Sequence, residues 1–152
     1  MPHIETYDFV KWMHILAMAM GGGSAMVVLI LVGLEDSRDD LKGLTALLWR
    51  RTAAWAFRVA LVLGIVLLAL RIQAGDQPFQ AIYLHWKMPL VTLLLVCSEM
   101  APRSLAAGKR GAALLAFMFF LLATFVSVNS EAFGTVQRAR ANGFSGTVSQ
   151  GD

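Results

Sequence analysis

Six side chains sit where chemistry is expensive. His14, Arg58, His85, Lys87, Glu99 and Glu131 lie within or beside stretches that are otherwise apolar, and an ionisable group in such surroundings marks either a pairing or a function. His14 opens the stretch "KWMHILAMAMGGG" at residues 11–23, and His85 stands in "LHWKM" at residues 84–88. On a helix, steps of three and four from His14 reach Met18, Gly21 and Ala25, a strip with little bulk below the imidazole. Gly21 and Ala25 leave a slot of the kind that a flat macrocycle held by an axial histidine needs. The same small residues would also let two membrane helices approach closely.

The two histidines gain meaning from the elements that carry them. From Ile15 to Leu34 no side chain is charged, and twenty residues are about what a helix needs to cross a hydrocarbon core. The charges gather around 35–51, 71–87, 99–110 and 131–140, leaving four apolar tracts. They predict spans at about 9–34, 52–70, 83–103 and 111–131, with Arg58 the only charge inside the second and Met88–Ser98 the uncharged centre of the third. No stretch alternates with period two, as a β-barrel would require. The expectation is an all-α protein, an integral membrane four-helix bundle over residues 1–134, followed by a polar tail at 135–152 read as disordered.

In four antiparallel spans the first and third run the same way, which sets His14 and His85 at similar depth. Two facing histidines in a bundle can ligate haem iron from opposite sides or form half of a metal site, while an interfacial histidine can equally serve as a hydrogen-bonding residue. Arg71 and Lys87 belong near the same surface, where they could meet haem propionates, and Lys87 could instead pair with Glu131. Arg58 and Glu99 lie toward the other side, as an ion pair or as part of a proton route. Trp12, Trp49, Trp55, Trp86 and Tyr83 fall near span ends and read as interfacial belt residues.

Composition agrees: 57% of residues are hydrophobic, 15% are charged and the mean hydropathy is +0.63, against about 25% charged in a soluble domain. The basic residues between spans, Arg38, Lys42, Arg50 and Arg51 together with Arg103, Lys109 and Arg110, outnumber Lys11, Arg71, Lys87, Arg138 and Arg140 opposite them. Positive-inside bias then places both termini outside, on the periplasmic side of an inner membrane. "MPHIETYDF" has no basic residue ahead of the apolar run, unlike a signal peptide, so the first span is expected to persist. One cysteine, Cys97, excludes an internal disulfide and any CxxC site. Walker, HExxH and GxSxG motifs are absent. The pI of about 9.4 reflects basic residues beside a membrane, with no nucleic-acid face.

"KWMH" opening the first span and "YLHWKMPLVTLLLV" opening the third resemble the corresponding segments of the HemJ family of small membrane protoporphyrinogen IX oxidases, over about residues 7–130. The resemblance implies a four-helix bundle, haem b as cofactor, and a reaction that removes hydrogens from protoporphyrinogen. Residue by residue, His14 matches the family's first-helix histidine, His85 the third-helix histidine and Lys87 the lysine two positions later. Where the family has a Leu-Pro-Arg segment and a further histidine after the glycines, this chain reads "VLILVGLED", which leaves the substrate open.

"RRTAAWAFRVALVLGIVLLAL" is also similar to CopD-like copper-resistance proteins of the same superfamily. Met13, Met18, Met20, Met26 and Met88 near two histidines would suit Cu(I), although methionine at helical spacing is also packing material. A non-catalytic subunit packing through its small-residue face, in a homo-oligomer or a larger membrane complex, is a third reading. The expectation carried forward is a haem b oxidoreductase that acts on a porphyrin or quinone-type small molecule and passes electrons to a quinone or a partner protein. His14 and His85 are its axial, metal-binding residues, Gly21 and Arg71 contact the cofactor, and Lys87 is the catalytic group at the porphyrin edge.

Overall fold

The computed structural model describes residues 2–35, 37–38, 43–75 and 82–129. Five helices follow in order: α1 (Pro2–Glu35), α2 (Leu44–Arg51), α3 (Ala53–Gln73), α4 (Ile82–Ala106) and α5 (Gly111–Val128). They make four helical stretches long and apolar enough to cross a membrane, Glu5–Glu35, Leu44–Gln73, Leu84–Ala106 and Gly111–Val128. The protein is an all-α, multi-pass membrane bundle. Glu131 and the tail at 135–152 lie outside the described residues.

The burial pattern is that of a protein built for lipid. Among the described residues, nine of the fifteen buried apolar ones are alanine, whereas Phe9, Ile30, Val62, Ile65 and Phe125 are more than half exposed. Between helices in a bilayer no hydrophobic force operates, so close approach of small residues supplies the cohesion and the large apolar side chains face the acyl chains. α1 packs mainly along α3, and α4 along α5. α2 is wedged between α1 and α4 and joins the two pairs.

The helical stretch that carries the second span starts before its charges suggest. A helix is already present from Leu44, eight residues before Thr52, because α2 carries Arg50 and Arg51 only in its last turn while Thr45 and Trp49 are buried. The Glu35 carboxylate accepts hydrogen bonds from the Gly43 N–H and the Thr45 hydroxyl, an anion at the helix N-terminus where the free N–H groups gather. Gly43 itself has φ 84°, a backbone state that other residues enter at a cost. α2 and α3 are separated only by Thr52, whose hydroxyl turns back to the Leu48 carbonyl at 2.7 Å.

Trp49 corrects a sequence expectation. It is fully buried, not a belt residue, and its indole N–H donates to the Ser98 carbonyl on α4 at 3.0 Å. The cause is Pro102, four residues beyond Ser98 inside α4. Proline has no N–H to offer that carbonyl, so the indole takes the vacant position. Trp12, Trp55 and Trp86 are all more than half exposed, as belt residues are.

The glycine triplet is helical, and its three members differ sharply. A Cβ at Gly21 would stand 2.7 Å from the ring of buried Phe57, one at Gly22 would collide with the Phe120 ring, and one at Gly23 would meet nothing within 4 Å. Phe57 and Phe120 are themselves in contact, with centroids 5.7 Å apart. Gly21→Ala is therefore expected to lower stability by about 1–3 kcal/mol, the usual cost of overpacking. Gly23→Ala should be neutral or slightly stabilising. Melting curves of the detergent-solubilised variants check both, and equal melting of Gly21→Ala and wild type would mean that Phe57 yields freely.

Candidate functional site at the Arg71 end of the bundle

His14 lies two turns into the membrane-spanning part of α1 and is half-buried. Its Nδ1 is 2.8 Å from the Ala60 carbonyl oxygen of α3. A carbonyl only accepts, so Nδ1 carries the proton and Nε2 keeps its lone pair. The ring reaches that carbonyl because residue 64, one turn further along α3, is glycine: a Cβ there would stand 3.3 Å from His14 Cε1. Ala60 and Gly64 are thus the seat of the imidazole. Sequence reasoning passed over them, although their spacing of four is the small-residue signature of close helix packing.

Two cations from other helices lie in a row beside this ring. The half-buried Lys87 of α4 lies within electrostatic range of His14, and Arg71 of α3 within range of Lys87. Arg71 donates from Nε to the Tyr7 hydroxyl at 3.1 Å and rests over the Tyr7 ring, 5.9 Å from its centroid. Among the described residues, no carboxylate pairs with Lys87 and no hydrogen bond reaches it. α1, α3 and α4 therefore converge on a site that is rich in positive charge and holds one imidazole nitrogen ready to accept.

His85 is placed differently. It is exposed and has no hydrogen bond among the described residues. Residues two apart on a helix point about 200° from one another, so a helix that turns Lys87 toward His14 turns His85 away. The structure sets Lys87 within range of His14, and Arg71, paired with Tyr7, within range of Lys87, and leaves His85 on the outer side of α4. Among the described residues, no group of three or more His, Cys, Asp or Glu side chains is gathered as for a metal ion.

The donor set suits a haem in part. An available imidazole nitrogen and cations for two carboxylates are what such a group asks of a protein, and His14, Lys87 and Arg71 offer them. The glycine slot does not fit: the space in front of Gly21 is filled by the Phe57 ring, and Ala25 is fully buried. Gly21 serves the packing of α1 against Phe57 of α3. A single helix pattern reveals a gap beside a glycine but not the neighbouring ring that fills it.

At the far end of the bundle, Arg58 of α3 and Glu99 of α4 form a two-pronged ion pair, Nε to Oε1 at 2.7 Å and a terminal nitrogen to Oε2 at 2.6 Å. Arg58 also lies over the Trp55 ring, 5.9 Å from its centroid. The pair is about half exposed to the surroundings of the bundle. Comparisons of the chain with protein-family models, with curated proteins and with solved structures return no match.

Proposed function

We propose that this chain is a haem b-binding membrane oxidoreductase of the HemJ type, with His14 as its iron ligand. The observation that carries the reading is the hydrogen bond from His14 Nδ1 to the Ala60 carbonyl, which fixes the tautomer and leaves Nε2 its lone pair, with Lys87 within electrostatic range of the ring. Tying the far nitrogen of a ligating histidine to a carbonyl is the common way to orient the ring and raise its basicity. Bound there, haem would supply one-electron redox chemistry. Lys87 and Arg71 hold carboxylate groups of the cofactor or of a porphyrin substrate, and Tyr7 keeps Arg71 in place. Lys87 has three N–H donors and no described partner, so it is the group best placed to bind and orient the substrate edge. His85, on the outer side, is left for substrate or lipid contact.

The copper reading draws less support from the side chains: of the five methionines, Met13, Met20, Met26 and Met88 are exposed, and only the half-buried Met18 shares the His14 face of α1. Reduced-minus-oxidised absorption of the purified protein tests the proposal. Haem bands are expected, together with restored haem synthesis in a cell lacking its own protoporphyrinogen oxidase. Bound copper without haem, or neither group, overturns it.

The orientation proposed with this reading has both termini on the periplasmic side of an inner membrane, since Arg38, Arg50, Arg51, Arg103, Lys109 and Arg110 all sit at one end of the bundle. Reporter fusions after Leu48 and after Gly134 should report opposite sides. The same side for both would contradict it.

A further inference from the structure

We propose a second site, at the opposite end from His14, that binds the phosphate of an anionic phospholipid headgroup. A cavity of about 270 Å³ is lined by Leu47, Arg50, Arg51 and Trp55. Arg50 and Arg51 are exposed and have no hydrogen bond or ion pair through their side chains among the described residues. Two arginines that line one concavity and have no other partner among the described residues can offer forked donors to phosphate oxygens there. The remaining lining, an indole and a leucine, is apolar. A charged end beside an apolar wall matches a lipid, whose phosphate and acyl chains are joined through glycerol. A free phosphate would have no use for Leu47 and Trp55.

Depth supports the assignment. Arg51 and Arg71 stand 20 residues apart along α2 and α3, about 30 Å of helical rise, which equals the hydrocarbon thickness of a bilayer. With Arg71 at one headgroup layer, Arg50 and Arg51 fall in the other. Arg58, seven residues inward, is below that layer, and it is paired with a carboxylate of its own, that of Glu99. Basic pockets at the ends of membrane helices are a recurring way to hold anionic headgroups. The break at Thr52 gives the cavity its shape, because it separates the end of α2, which carries the two arginines, from Trp55 on the first turn of α3.

The test uses the full chain in detergent, with phosphatidylglycerol and phosphatidylcholine of equal chain length, and lipid retention read by native mass spectrometry. Wild type should retain phosphatidylglycerol about 30-fold more tightly than the Arg50→Gln/Arg51→Gln variant, which is about 1 kcal/mol for each arginine. The charge-matched variant Arg103→Gln/Lys109→Gln should retain it as wild type does. Equal losses in the two variants would mean diffuse surface charge and overturn the site. Equal retention of the two lipids by wild type would overturn it as well. Displacement of the lipid by inorganic phosphate at equal concentration would assign the cavity to free phosphate and refute the lipid. Circular dichroism of the glutamine variants should match wild type, since both arginines are exposed, and a protein that retains its helices but not the lipid is the supporting result.

Discussion

Replacing His14 by alanine is expected to abolish the haem absorption of the purified protein, while replacing His85 leaves the bands in place. The difference follows from the seat of each ring. His14 is held by the Ala60 carbonyl through Nδ1, keeps Nε2 available and has Lys87 within electrostatic range, and an iron bound there would lose its anchor with that nitrogen. His85 is exposed, two residues from Lys87 and on the other side of the helix. Gly64→Ala gives an intermediate case, because its Cβ would press on His14 Cε1 at 3.3 Å. Disturbing the support of a ligand without removing it typically costs 10–100-fold in affinity, and about tenfold is expected here. Lys87→Gln should retain the bands and lose substrate turnover. Loss of the spectrum in both histidine variants would mean that α4 turns His85 inward and that the iron has two imidazoles. Wild-type spectra in both would remove His14 from the site.

Much of this arrangement was legible in the sequence, for a physical reason: the cost of charge in lipid writes the spans into the positions where Asp, Glu, Lys and Arg are missing. The same cost announced Arg58 and Glu99 as a pair before any coordinates. Helix α2, ahead of the second span, was not legible, because Arg50 and Arg51 look like a loop although their long side chains can reach the headgroups from a helix end. Trp49 was misread for a related reason. Its position beside two arginines resembles a membrane belt, and only the missing N–H of Pro102, four residues past Ser98, hinted that an indole was needed inside. The seat of His14 is a backbone carbonyl, which leaves no mark on residue type. Ala60 and Gly64 recorded only that something comes close to α3.

Glu99→Gln is expected to reduce the amount of folded protein in the membrane several-fold and to lower its melting temperature clearly, although Glu99 touches neither candidate site. In the native chain both prongs of the Arg58 guanidinium end on the carboxylate, and the pair faces outward between α3 and α4 about two turns from the nearest basic headgroup contacts. Glutamine keeps the shape of the side chain and can accept one of those bonds, but it leaves the guanidinium charge uncompensated at the edge of the hydrocarbon. Removing one partner of a desolvated pair is therefore worse than removing both. Arg58→Leu/Glu99→Leu should recover most of the lost stability, since leucine on a lipid-facing surface carries no desolvation cost. The exchange Arg58→Glu/Glu99→Arg should recover part of it, limited by the loss of the Trp55 ring beneath the guanidinium. If proton movement through Glu99 were its purpose, the leucine pair would fold and lose turnover. If the pair serves cohesion, the leucine variant folds with wild-type turnover, and a stable, fully active Glu99→Gln single variant would refute the structural role as well.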